Sequence, residues 1–189
     1  MLAATPVPAT AGVTAPVDVA SPHPEATMAL STQSMTDEQR KSVVLEFLKA
    51  IDHGGTTSTG GSIVELFAED AQMCFPKWGI AEGRDQIGQF FGDLGSTLTA
   101  IKHDYATINW IFSGGDTLVA EGTSSGDHRD GSWRAGVQDW AAGRWCDVFE
   151  IRDFLIQRLF VYLDPDYAGR DVDRYPWMAA RSAAAATTA

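Results

Sequence analysis

Cysteine is scarce in this chain: Cys74 and Cys146 are the only two among 189 residues. Both lie in apolar, strand-like runs, which gives neither a disulfide framework nor a metal-ligand spacing, so both are expected as buried small hydrophobes. The four histidines are scattered and form no metal motif, and neither a metal nor another cofactor is expected. Positive charge is also short. Lys and Arg number 14 against 25 Asp and Glu, for a net charge of -11. Nothing in such a chain neutralises a run of phosphates, which argues against nucleic acid and against an anionic membrane surface as partners. No Lys or Arg precedes Arg40, so the basic start of a secretory signal and the arginines of a mitochondrial presequence are both missing. No stretch approaches the ~20 continuous apolar residues of a membrane span. The expected compartment is the cytoplasm.

What is present is an ordinary globular composition, 44% apolar and 21% charged, long enough for one domain with a core. Residues 1–35 are rich in Ala, Pro, Thr and Val, and Pro6, Pro8, Pro16, Pro22 and Pro24 stop any helix from running through, so a disordered arm is expected there. Residues 169–189 form a C-terminal tail of low complexity at its end, which leaves 36–168 as the domain. Thr36 reads as an N-cap, with Asp37 and Glu38 in the first turn and Gln39 completing a capping box. Val43, Val44, Phe47, Leu48 and Ile51 then recur at helical spacing up to Gly54-Gly55. A short amphipathic helix follows through Val64, Leu66 and Phe67, and a strand over 71–75 closes at Pro76. A third helix opens at Gly83-Arg84-Asp85 and carries Ile87, Phe90, Phe91 and Leu94. Beyond it the periodicity becomes that of strands: a long one over 101–112, its partner over 117–123, an Asp130-Gly131 hairpin turn, and two more over 144–152 and 156–163. The stretch 132–143, with Trp133 and Trp140, has no clear period. Three helices followed by antiparallel strands make an α+β fold with the helices on one side of a sheet.

The strand over 145–151 holds the most informative position. Alternate residues share a face, so Trp145, Asp147, Phe149 and Ile151 point the same way, and three of these four are large and apolar. A lone acid on an apolar face is costly when ionised and unpaired. Asp147 is therefore either a general acid or base facing a cavity, or a structural carboxylate bonded to a backbone N–H or a tryptophan Nε1–H.

Four pieces of sequence, in order, resemble the SnoaL-like branch of the nuclear transport factor 2-like superfamily: Glu65-Leu-Phe-Ala-Glu-Asp-Ala71, Gly83-Arg-Asp-Gln-Ile-Gly-Gln-Phe-Phe91, His128-Arg-Asp-Gly131, and Cys146-Asp-Val-Phe-Glu-Ile-Arg-Asp153 running to Val161-Tyr-Leu-Asp-Pro165. The resemblance implies a cone-shaped, strongly curved, mostly antiparallel sheet with helices enclosing an apolar cavity. It also implies a homodimer, and relatives that include polyketide cyclases, ketosteroid isomerases, dehydratases and epoxide hydrolases. Position by position, Phe47 falls where the isomerases carry an oxyanion-hole tyrosine, and Phe75-Pro76 where they carry the Asp-Pro of the general base. Asp147 falls on their second oxyanion-hole group, an aspartic acid kept neutral by an apolar site. The further aspartate of limonene epoxide hydrolases falls on Val161, so the resemblance does not extend to that chemistry. It is greatest to the cyclases, which pair a cavity acid with a histidine and need no metal.

The remaining candidates follow from faces and chemistry. His103 shares its strand face with Tyr105, Thr107 and Asn109. Either that face is concave and His103 and Asn109 line the pocket, or it is outward and His103 is solvated. Tyr162, on a face with Arg158, Phe160 and Asp164, is either a donor to a substrate carbonyl or an aromatic bridging core and rim. His128 and Arg129, at a polar hairpin, are expected in solvent, and His23 and His53 have no partner pattern. Trp78, Trp110, Trp145, Phe47, Phe75 and Phe90 are the aromatics expected near a cavity suited to a planar or polycyclic ligand, unless they are simply core. The expected activity is cofactor-free acid/base catalysis on a small hydrophobic carbonyl or polyketide-like compound. Asp147 would transfer the proton, His103 would assist, and Tyr162 or a tryptophan N–H would hold the oxyanion. The other reading is a non-catalytic hydrophobic-ligand-binding or dimerisation module of the same fold.

Overall fold

The computed structural model describes residues 34–133 and 143–167. The arm expected over 1–35 (apart from Ser34 and Met35), most of the 132–143 stretch with Trp140, and the tail over 169–189 lie outside the described residues. Helix α1, Asp37–Asp52, starts where its capping box predicts: Gln39 N donates to Thr36 Oγ1 at 3.2 Å, and Thr36 N to Gln39 Oε1 at 2.8 Å. Met35, assigned to the arm by composition, packs on the core, and its carbonyl accepts from Arg40 Nη1 at 2.6 Å. The short second helix reduces to a 3-10 turn, Ile63–Leu66, because Phe67 is already the first residue of strand β1, Phe67–Phe75. Strand β2, Gly79–Glu82, leads into helix α2, Gly83–Thr97, so among the described residues two α-helices stand where three helices were expected.

The predicted long strand over 101–112 is two strands, β3 (Leu98–His103) and β4 (Asn109–Phe112), separated by a 3-10 turn, Tyr105–Thr107, that Asp104 caps. Both halves pair with the 12-residue β5, Thr117–His128, β4 with its first third and β3 with its last. Strand β6, Gly131–Trp133, closes the Asp130-Gly131 hairpin, and β7 (Arg144–Arg152) and β8 (Leu155–Leu163) complete the sheet. The order is β2-β1-β8-β7-β5-β3, with β4 and β6 also on β5. Only β1 with β8 is parallel, and the sheet is strongly curled.

Both α-helices lie against the concave face. Val44 and Leu48 of α1 and Ile87 of α2 are fully buried there. Phe47 stands at the centre of an edge-on aromatic cluster, 5.8 Å from Phe67 and 5.7 Å from Phe149 between ring centroids. Arg40 ties the start of α1 to the β4–β5 turn through Asp116, at 3.1 Å. Among the described residues no helix is long and apolar enough to cross a membrane.

Candidate functional site

Along β7, burial alternates as the face argument requires: Trp145, Asp147, Phe149 and Ile151 are buried and the residues between them are not. Register fixes their neighbours. Asp147 lies between Ala120 of β5 and Val161 of β8, and Trp145 between Gly122 and Leu163. Gly122 is required by close approach, since a Cβ there would sit 2.6 Å from Cζ2 of the Trp145 indole. On the same inner face of β5, Ser124 pairs with His103 of β3, so the wall runs His103, Trp145, Asp147 from one end to the other. The His103 ring meets the Trp145 indole edge-on at 5.4 Å.

These side chains and the helices enclose a cavity of about 50 Å³, lined by His103, Ser124, Trp145, Asp147 and Tyr167 among apolar residues from α1, α2 and the sheet. That volume holds a few water molecules, far less than a polycyclic ligand needs. Among the described residues Asp147 has no charged partner, and its Oδ1 is buried with no hydrogen-bond partner, as is Trp145 Nε1. Burial raises the Asp147 carboxyl from 3.8 to about 8, so it is protonated at neutral pH.

His103 is held from the other side. Asp52, the last residue of α1, accepts from His103 Nδ1 at 2.6 Å, from the His103 backbone N–H at 3.1 and 3.2 Å, and from the Tyr105 hydroxyl at 2.7 Å. Burial works to raise the Asp52 carboxyl, but the hydrogen bonds and charge of His103 and the Tyr105 hydroxyl outweigh it and hold the group below its ordinary value. Burial, followed by the Asp52 hydrogen bond and charge, pushes the Tyr105 phenol well above its ordinary value. With Nδ1–H given to Asp52, the other ring nitrogen of His103 is the one with basic capacity toward a ligand. Tyr167, just past β8, is buried too. Its phenol is raised by burial and then by the charges of Asp147 and Asp164.

Of the residues singled out in the sequence, Asp147, His103, Phe47, Phe75, Phe90 and Trp145 all line this cavity. Four others do not. Tyr162 is 58% exposed on the convex face, because the register that puts Val161 beside Asp147 turns Tyr162 outward. Asn109 is exposed and bonded to Glu121, since the turn over 105–107 breaks the alternation that would have put it on the His103 face. Trp78, in the turn between β1 and β2, is 37% exposed, packs edge-on against Phe90 and donates Nε1–H to Asp93. Trp110 packs on the core from outside this cavity, with Lys41 Nζ over its ring at 5.4 Å. Cys74 and Cys146 are half-buried on the convex side rather than buried. His128, expected in solvent, stacks on Tyr167. Asp52, Tyr105, Ser124 and Tyr167 were not anticipated.

The SnoaL-like domain family model matches residues 44–159 of the chain. No curated protein matches it. Among solved structures, an NTF2-like protein of unknown function from Burkholderia pseudomallei K96243 superposes with a TM-score of 0.54 at 15% identity, over 73% of this chain and 98% of that one. A candidate polyketide cyclase from Xanthomonas campestris pv. campestris gives 0.54 at 17%, over 71% and 97%. TerC, crystallised with polyporic acid, gives 0.51 at 14%, over 71% and 98%. At these identities the likeness is one of fold.

Proposed function

The chain belongs to the SnoaL-like domain family, and from the cavity it builds on that fold we propose a cofactor-free acid/base catalyst of the cyclase, isomerase or dehydratase type, acting on a small hydrophobic carbonyl compound. One observation carries the reading: a buried carboxyl with one oxygen unpartnered among the described residues and a histidine oriented by an aspartate line the same apolar cavity. The free ring nitrogen of His103 removes a proton from the carbon beside the substrate carbonyl. Asp147 donates its hydrogen bond, and then its proton, to the oxygen as charge develops there. The Trp145 Nε1–H, without a partner among the described residues, serves as a second donor to that oxygen, the tryptophan N–H that the sequence offered beside Tyr162. The enol so formed returns its proton at another carbon, loses a β-hydroxyl as water, or attacks a second carbonyl. These outcomes are isomerisation, dehydration and cyclisation. Exchange of α-hydrogens for deuterium, followed by NMR on a panel of 2-alkanones and acetophenones in D₂O, tests the proton step without the natural substrate. The expected result is enzyme-dependent exchange that falls ~10²–10⁴-fold in Asp147→Asn and His103→Gln. Binding without exchange, or equal rates in the variants, would leave a ligand carrier instead.

We further propose that the chain acts as a homodimer through the convex face of the sheet. Ile111, Val119, Val148, Phe160, Cys74 and Ile80 pair directly, strand to strand, in one apolar row across β4, β5, β7, β8, β1 and β2. Six strands at the usual spacing make that row about 24 Å long. Polar rows flank it, with Glu150 bonded to Arg158 on one side and Glu121 and Tyr162 on the other. An apolar centre with a polar rim, laid on itself by a two-fold axis in the interface plane, is the anatomy of an isologous contact. Analytical ultracentrifugation at micromolar concentration is expected to give a dimer, and Val148→Glu a folded monomer. A monomeric wild-type protein would remove the proposal.

A further inference from the structure

Beside the cavity of His103 and Asp147 lies a second hollow that is larger, about 130 Å³ against about 50 Å³. The two share walls: Ile51, Phe91 and Leu94 line both. No polar side chain lines the second hollow, and part of its wall is backbone alone, at Gly54 and Gly55 after α1 and at Gly95 on α2. Gly54 and Gly55 hold φ of +68° and +88°, a region that side chains with a Cβ rarely adopt, so the wall stays low there. The second hollow therefore offers apolar room for a ligand's bulk beside the reacting groups.

We propose that this hollow is a tail site: the ligand is elongated, with a carbonyl head between His103 and Asp147 and an unbranched apolar tail lying along Gly54, Gly55 and Gly95. The head-group half rests on the acid/base reading above, and the tail half does not. An elongated ligand suits a chamber of about 50 Å³ better than the planar or polycyclic one suggested by the aromatic composition. Gly95 sets the tail length. Its backbone is ordinary helix, it stands exposed at the rim of the hollow, and a Cβ there meets no atom within 4 Å, so a larger side chain is accommodated at that rim without straining the chain.

The test uses the full-length protein and a series of 2-alkanones from 2-pentanone to 2-decanone, with dissociation constants from ligand-observed NMR titration. Binding is expected to tighten about three- to fourfold with each methylene in the wild type. Gly92→Leu, on the same helix and lining neither cavity, is expected to keep that progression. Gly95→Leu should flatten it after the first carbons and weaken 2-decanone at least tenfold, with Gly95→Ala between. No dependence on chain length in the wild type, or the same dependence in Gly95→Leu, would overturn the tail site. Alkanes that bind as tightly as ketones of equal length would support the tail site while removing the carbonyl head-group reading.

Discussion

Replacing Asp147 by asparagine is expected to make the protein more stable at neutral pH, by about 4 kcal/mol, while cutting the proposed proton transfer ~10²–10⁴-fold. The sign follows from linkage. The carboxyl is raised by burial to about 8 in the folded chain against 3.8 when exposed. Below the lower value both states carry the proton, and the wild type loses nothing. Between the two, the unfolded chain releases its proton and the folded chain keeps it, so stability falls by about 1.4 kcal/mol per pH unit. Above the higher value the loss levels off. Asparagine has the shape of the neutral acid and no proton to exchange, so the variant lacks this slope. Thermal melts of the two proteins should coincide near pH 4 and separate by on the order of 10 °C at pH 7. Melts that run parallel from pH 4 to 8 would mean that the carboxyl is ionised and partnered, and its role as acid would go with that. The same protonation state sets the pH profile of turnover, which is expected to decline as pH rises past about 8.

A group that destabilises the fold is at odds with its surroundings, and this explains why Asp147 could be read from the sequence. Its conflict with its surroundings is local: Trp145, Phe149 and Ile151 are two or four residues away on one strand, and strand geometry alone puts them on its face. The capping box of α1 and the Asp130-Gly131 turn were legible for the same reason, being set by neighbours in sequence. Relations between strands were not. Assigning Tyr162 rather than Val161 to the cavity is a one-residue error of register, and register reverses every side chain of a strand at once. His103 and Asn109 were put on one face because nothing marked the 3-10 turn between them. Ser124 and Tyr167 lie just beyond the predicted ends of their elements. Asp52 did leave a trace. It follows Val44 and Leu48 at helical spacing, on the buried face, and it is an acid at the end of a helix whose dipole repels negative charge. An acid there needs a partner, and the partner lies 51 residues further on.

Asp52 gives the second large effect, opposite in sign to the first. Its carboxylate satisfies three donors at once, the His103 ring N–H, the His103 backbone N–H and the Tyr105 hydroxyl. Asp52→Ala leaves all three without their acceptor and is expected to cost about 3 kcal/mol or more. Asp52→Asn keeps one oxygen but turns an NH₂ toward the same donors, and should cost about 2 kcal/mol. Because the folded carboxyl sits below its ordinary value of 3.8, this stabilisation is present at neutral pH and fades as pH falls through the folded value, so the gap between wild type and Asp52→Asn narrows in acid. Stability alone would not separate a structural clamp from a positioning residue. Nitrogen-15 NMR of His103 does, because the wild type should carry its proton on Nδ1 and Asp52→Asn should shift it toward Nε2, where it blocks the base. Turnover is then expected to fall ~10²–10⁴-fold, whereas Tyr105→Phe, which removes one donor and leaves the ring bond intact, should lose about 1 kcal/mol and keep most of the activity. An unchanged tautomer with undiminished turnover in Asp52→Asn would reduce Asp52 to a brace between α1 and β3. The same change of oxygen to nitrogen on either side of His103 thus separates two carboxyls: one is stabilised through its charge, and the other is tolerated only without it.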